Sequence, residues 1–147
     1  MAISTDLIVG FPGETDADAE ATEALVRQVK FSQAYSFKYS PRPGTPAADR
    51  TDQVPEAIKT ERLIRLQALL ENQRLAFNRA CIGRTLPVLF DKPGRRAGEV
   101  AGRSPYLQLV EVELGERRAP KLGDIQDVSI TGLGKAGLAG VIKAARP

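Results

Sequence analysis

Two short apolar runs, each closed by a loop rich in glycine and proline and joined by one helical stretch, constrain this chain more than any other feature. Asp6-Leu7-Ile8-Val9-Gly10 runs into Phe11-Pro12-Gly13-Glu14-Thr15, and residues 34–39 run into Ser40-Pro41-Arg42-Pro43-Gly44-Thr45-Pro46. Strand, helix and strand in this order form a βαβ unit, with the two strands parallel. The carboxyl ends of parallel strands make a mouth where ligands sit, because the loops there vary while the strands are packed. Residues 10–15 and 40–46 are the two loops at that mouth. Gly10 and Gly13 let backbone approach a ligand closely, and Pro41, Pro43 and Pro46 fix φ and remove amide donors, so the second loop is stiff. The same residues also make ordinary tight turns, and glycine and proline alone do not choose between the two readings.

In chain order, residues 1–10 form the expected first strand, with Ile3, Leu7, Ile8 and Val9 as its buried run. Thr15 caps the helix over 16–30, and Asp16, Asp18 and Glu20 favour its positive end. Ala21, Leu25 and Val29, widened by Val26, give it a packing stripe. In the second strand, 34–39, Tyr35, Phe37 and Tyr39 share one face and Ser36 and Lys38 the other, with Phe37 expected in the core. Pro55 opens a long helix to Ile82, whose stripe is Leu63, Leu66, Leu70, Phe77 and Cys81, with Glu61 and Arg65 paired on the outside. Cys81 reads as a small buried hydrophobe, and Gly83 stops the helix.

The pattern then changes. Five strands are expected at 85–91, 98–102, 107–114, 125–131 and 138–143, with turns at Lys92-Pro93-Gly94, Leu122-Gly123-Asp124 and Gly132-Leu133-Gly134. Val110, Val112 and Leu114 alternate with Glu111 and Glu113, so each strand has one buried face. Short antiparallel strands at this spacing point to a small OB-like barrel. The fold class is therefore α/β plus all-β, with domains at 1–83 and 84–147. Charge divides the same way: residues 1–83 carry 10 basic and 11 acidic side chains, residues 84–147 carry 11 and 7. A basic excess attracts phosphate backbones and equally serves solubility. With Tyr106 almost the only aromatic expected on this surface, base stacking is not expected to dominate RNA contact.

Asp6-Leu7-Ile8-Val9-Gly10-Phe11-Pro12-Gly13-Glu14-Thr15, followed by Phe37-Lys38-Tyr39-Ser40-Pro41-Arg42-Pro43-Gly44-Thr45-Pro46-Ala47-Ala48, resembles the last part of the radical S-adenosylmethionine barrel of the methylthiotransferases. Gly102-Arg103-Ser104 and Lys121-Leu122-Gly123-Asp124 resemble landmarks of that family's C-terminal TRAM domain, so the likeness covers nearly the whole chain. It is nearest to the branch that adds a methylthio group to N6-dimethylallyladenosine beside the tRNA anticodon. The sister branch, which modifies a ribosomal protein, typically has an acidic residue just before the Gly-Thr pair, where this chain has Arg42-Pro43.

By position, the resemblance implies Ile8, Gly10, Lys38, Tyr39, Ser40 and Pro41 near S-adenosylmethionine. It implies Arg42, Arg84, Arg103 and Lys121 as contacts to the tRNA anticodon stem-loop. Arg42 alternatively pairs with Glu14 across the mouth, and Arg103 alternatively braces the barrel. The family also uses two [4Fe-4S] clusters: one generates the radical from S-adenosylmethionine and the other supplies sulfur. One cysteine and no histidine cannot hold a cluster that needs several thiolates, so no catalytic residue or metal ligand is expected here. The chain reads as the C-terminal piece of a larger enzyme, inactive alone, whose N-terminal part carries those ligands. Two alternatives stay open, the ribosomal-protein branch and a stand-alone RNA-binding module. A cytoplasmic protein without membrane spans, monomeric at full length, is the remaining expectation.

Overall fold

The computed structural model of the chain describes residues 2–115 and 118–143. Met1 of the expected first strand, and residues 116, 117 and 144–147 of the expected second domain, lie outside the described residues. Two compact units divide the chain, Met1–Leu75 and Ala76–Pro147. The division falls inside the long helix α2 (Glu56–Arg79) rather than after Gly83, because Phe77 and Cys81, which follow it, pack with the strands of the second unit.

In the first unit, β1 (Ser4–Val9) pairs in parallel with β2 (Gln33–Lys38), in register from Ser4 opposite Gln33 to Val9 opposite Lys38. Helix α1 (Asp16–Val29) joins them. Thr15 caps it as the sequence implies: its hydroxyl accepts from the Asp18 amide, and the Asp18 carboxylate accepts from the Thr15 amide at 2.9 Å. Donation to the carboxylate from the Thr15 amide first, and then from the Thr15 hydroxyl at 2.7 Å, holds the Asp18 carboxyl below its ordinary value.

Leu7, Val9 and Ala34 on the sheet meet Val26 and Val29 of α1 and Leu63, Leu66 and Leu70 of α2, with Phe31 closing the cluster. Burying a valine or leucine side chain fully contributes about 1.5–3 kcal/mol. Both helices lie on this one face. Ile8, Tyr35 and Phe37 are consequently exposed, Ile8 at 57% and Phe37 at 54%, and Ile3, which precedes β1, is exposed as well, against the expectation of burial for Ile3, Ile8 and Phe37. Period-two alternation sends Ile8 and Phe37, which are opposite in register, to the face no helix covers. The stripe on α1 also differs: Ala19 and Val26 are buried, while Ala21 and Leu25 face solvent. Residues seven apart lie on the same side of a helix, and centring that side on Val26 turns Leu25 outward.

In the second unit, β3 (Thr85–Pro93), β4 (Glu99–Arg103), β5 (Leu109–Glu113), β6 (Ile125–Leu133) and β7 (Leu138–Ile142) close into a barrel in the order β3-β4-β5-β7-β6. The pairs are antiparallel as expected, except that β5 and β7 run parallel. In that order the last strand must run alongside β5 to complete the ring, which is the pattern of an OB-like barrel. Leu86, Val88 and Phe90 alternate inward from β3, Val110 and Val112 from β5, and Val128 and Ile130 from β6, forming the core with Cys81. Gly102 lies where β4 crosses β3: a Cβ there would stand 2.3 Å from the Leu89 carbonyl oxygen.

Candidate functional site

Each unit presents one surface with the makings of a binding site. In the first, the ends of β1 and β2 stay in register, and the Tyr39 amide donates to the Val9 carbonyl at 2.8 Å. Beyond them lies a cleft of about 610 Å³, a size that suits a small ligand. Ile8, Phe11 and Phe37 form its apolar wall, Lys38, Tyr39 and Ser40 its floor, and Arg42, Thr45 and Ala47 its rim. Tyr39 packs edge-on to Phe11, with ring centroids 5.1 Å apart, and its buried hydroxyl has no hydrogen-bond partner among the described residues. Of the six residues expected at a cofactor, Ile8, Lys38, Tyr39 and Ser40 line this cleft. Pro41 lines a neighbouring hollow with Glu56, Lys59 and Leu63, and Gly10 is buried behind the loop.

Gly10 has φ 73°, and a Cβ on it would stand 2.1 Å from Cγ of Lys59, so both conformation and space exclude a side chain. Its amide donates to Glu14 Oε2 at 2.8 Å. The other Glu14 oxygen accepts from Arg62 Nη1 at 2.7 Å, while Arg62 Nη2 donates to Asp16 at 2.6 Å. Arg62 is only 5% exposed. Asp16 first, then Glu14, holds its guanidinium charged, above its ordinary value. Glu14 is therefore engaged by Arg62 and not by Arg42, which is exposed and whose carbonyl accepts from the Thr45 hydroxyl.

One turn earlier on α2, Lys59 is 7% exposed. It donates to Glu56 at 3.0 Å and reaches the Tyr39 carbonyl at 3.4 Å. Lys38 donates to the other Glu56 oxygen and to the Thr60 hydroxyl. Lys38, then Lys59, holds the Glu56 carboxyl below the usual range. The roles of Lys59 and Arg62 had a sequence signal: they continue the stripe of Leu63, Leu66 and Leu70 at helical spacing.

In the second unit, the expected RNA contacts fall at two turns, and both turns reach the end of β3, Arg103 through Asp91 and the turn of Lys121 through the Gly123 amide on the Phe90 carbonyl. Arg84 lies over the Tyr106 ring at 5.7 Å and donates to its hydroxyl at 3.1 Å, and Tyr106 rests edge-on against Phe77. Arg103 donates to the Leu107 carbonyl at 3.2 Å and lies 3.6 Å from Asp91. Both arginines thus flank the turn between β4 and β5. Lys121 is exposed on a separate turn, where its amide donates to Asp124. The sequence reading missed a groove of about 450 Å³ over the outer faces of β5, β6 and β7, between the β3–β4 and β6–β7 loops. Arg95, Arg96 and Lys135 stand on its rims, facing Glu99, Glu111 and Glu113. Two of these carboxylates are occupied in bracing the loops: Glu99 accepts from the Arg96 amide and Glu111 from the Lys135 amide, each at 3.1 Å.

The described residues contain no group of acidic, cysteine or histidine side chains that could hold a metal ion. Cys81 is buried, its sulfur near the Gln108 amide. No helix of the described residues is long and apolar enough to cross a membrane.

No family model matches the chain. It is 53% identical over 146 residues, 99% of its length, to a tRNA-2-methylthio-N(6)-dimethylallyladenosine synthase of Maricaulis maris (strain MCS10). Proteins of the same description from Wolbachia pipientis subsp. Culex pipiens (strain wPip) and Rickettsia conorii (strain ATCC VR-613 / Malish 7) are 61% and 55% identical, over 77% and 89% of the chain. The chain spans 31%, 26% and 29% of the lengths of these three relatives. Among solved structures, a multidomain protein with nucleic acid binding domains from Streptococcus pneumoniae TIGR4 matches 46% of this chain and 24% of its own, at 18% identity and a TM-score of 0.38, too slight a likeness to argue from.

Proposed function

The chain belongs to the family of tRNA-2-methylthio-N(6)-dimethylallyladenosine synthases, and from that premise we propose that it is the C-terminal part of an enzyme that places a methylthio group on C2 of N6-dimethylallyladenosine beside the tRNA anticodon. The observation that carries this reading is the 53% identity maintained over 99% of the chain, through both units. In this reading residues 1–83 end a radical S-adenosylmethionine barrel, and residues 84–147 are a TRAM domain that positions RNA. The whole enzyme is cytoplasmic and monomeric, and its iron–sulfur ligands lie in the remainder of the protein.

The cleft fits the cofactor assigned to it. Ile8, Phe11 and Phe37 offer an apolar wall for an adenine ring, Ser40 offers a polar group beside it, and the buried Tyr39 hydroxyl has a donor to give. S-adenosylmethionine, when bound there, supplies the radical and methyl chemistry of the family. The chain's own part is to orient that molecule, keep water from the apolar wall, and present Arg42 at the rim. Arg42 has no carboxylate partner among the described residues, so its planar guanidinium is available to a phosphate or a base. On the barrel, Arg84 and Arg103 beside the β4–β5 turn, Lys121, and the rim residues Arg95, Arg96 and Lys135 supply the positive charge for RNA.

The test uses the full-length protein in cells that lack their own such enzyme. Mass spectrometry of their tRNA should show the methylthio group on the adenosine beside the anticodon. Unmodified tRNA together with a methylthio-modified ribosomal protein would overturn the proposal.

A further inference from the structure

Two cations are buried at the start of α2, one turn apart, and neither lines the 610 Å³ cleft. Burying a charge costs several kcal/mol unless it is paired and hydrogen-bonded, so their partners are the informative part. Arg62 takes the Glu14 side chain, the Glu14 carbonyl at 3.2 Å and the Asp16 side chain, all on the loop that follows β1 and the start of α1. Glu14 then passes the contact on, its second oxygen accepting from the Gly10 amide. Lys59 takes the Tyr39 carbonyl, on the loop that follows β2, and its stem fills the space under Gly10. A single helical turn thus grips both loops of the mouth.

We propose that Arg62 and Lys59 are positioning residues for the S-adenosylmethionine cleft: through Glu14 and the Gly10 amide on one side and the Tyr39 carbonyl on the other, they set the spacing between the Ile8 wall and the Ser40 floor. The proposal rests on the reading of that cleft as the cofactor site. It predicts that loosening the grip weakens cofactor binding while leaving intact the hydrophobic cluster beneath, which is built of Val9, Val26, Leu66 and Leu70 and does not include either cation.

The experiment uses the full-length enzyme with its clusters reconstituted anaerobically. S-adenosylhomocysteine is the calorimetric probe, and a tRNA anticodon stem-loop is the control ligand. Arg62→Met should raise the dissociation constant for the probe about ten- to a hundredfold, the scale of losing one hydrogen bond to a charged group, with stem-loop affinity unchanged. Arg62→Lys should recover part of the loss. Glu14→Gln keeps an acceptor for the Gly10 amide but drops the ion pair, so it should lie between wild type and Arg62→Met while folding normally. Hydrogen exchange should accelerate over residues 10–14 in the Arg62 variants.

Ile8→Ala, in the cleft itself, separates the two ideas. If Ile8→Ala weakens the probe while a folded Glu14→Gln and Arg62→Met bind it as wild type does, the positioning role is wrong and the cofactor cleft stands. If none of the three changes binding, the cleft reading fails and the proposal falls with it. Should Arg62→Met not fold, Glu14→Gln decides alone, and wild-type binding by it overturns the proposal.

Discussion

Leu107 has φ 62°, a left-handed conformation that glycine adopts freely and a branched side chain does not, and 63% of it faces solvent. It ends the turn whose Leu107 amide donates to the Ser104 carbonyl, at the tip that Arg84 and Arg103 flank. Left-handed backbone costs an ordinary residue about 1–2 kcal/mol, and glycine gives back about 0.5–1 in unfolded-chain entropy. Leu107→Gly should therefore leave stability unchanged or raise it by about 1 kcal/mol, read by urea denaturation. A clear loss would mean that the leucine packs in a way its exposure does not show. If the barrel positions RNA as proposed and this tip takes part, the same variant should also weaken stem-loop binding. The sequence could not reveal it, because nothing in Pro105-Tyr106-Leu107-Gln108 announces a positive φ. Lys59 and Arg62 had a signal in their spacing, but charge on a helix reads as a solvated face until the loops that bury it are seen.

At the scale of the element, the barrel strands were the most legible part. Valine and isoleucine alternating with glutamate, aspartate and serine leave only one way for β5 and β6 to face. The same rule misled for β1, where hydrophobicity on both faces read as burial on both, and for β2, where Phe37 on the aromatic face read as core while the helices cover the other face. What the sequence could not supply was the parallel β5–β7 pair, since pairing partners leave no local trace. Gly102 shows how tightly the closure is made. Its place against the Leu89 carbonyl means that Gly102→Ala must push β3 and β4 apart, and overpacking against backbone costs about 1–3 kcal/mol. Thermal unfolding of residues 76–147 should register that loss, whereas Gly132→Ala, with open space around its position, should cost less.

For the molecule as a whole, the two units differ in how complete they are. The barrel closes on itself and satisfies its own strands. β1 and β2 pair only with each other among the described residues, which leaves one sheet face and both outer edges uncovered by any of them. Hydrogen exchange on the purified chain should therefore protect β3 through β7 more strongly than β1 and β2, and equal protection would show that something else covers the first sheet. The open sheet has one more property, which concerns symmetry. Its two free edges are unlike, one belonging to β1 and the other to β2, because the strands run the same way. Joining the β1 edge of one copy to the β2 edge of another repeats the parallel register and leaves the same pair of edges at the ends, so the contact is head-to-tail: it closes into a ring where the rotation between copies brings the ends together and runs on where it does not. Two β1 edges meeting about a two-fold axis would instead make a self-complementary pair with like edges at both ends. A strand that caps either edge acts as a chain terminator for the head-to-tail route.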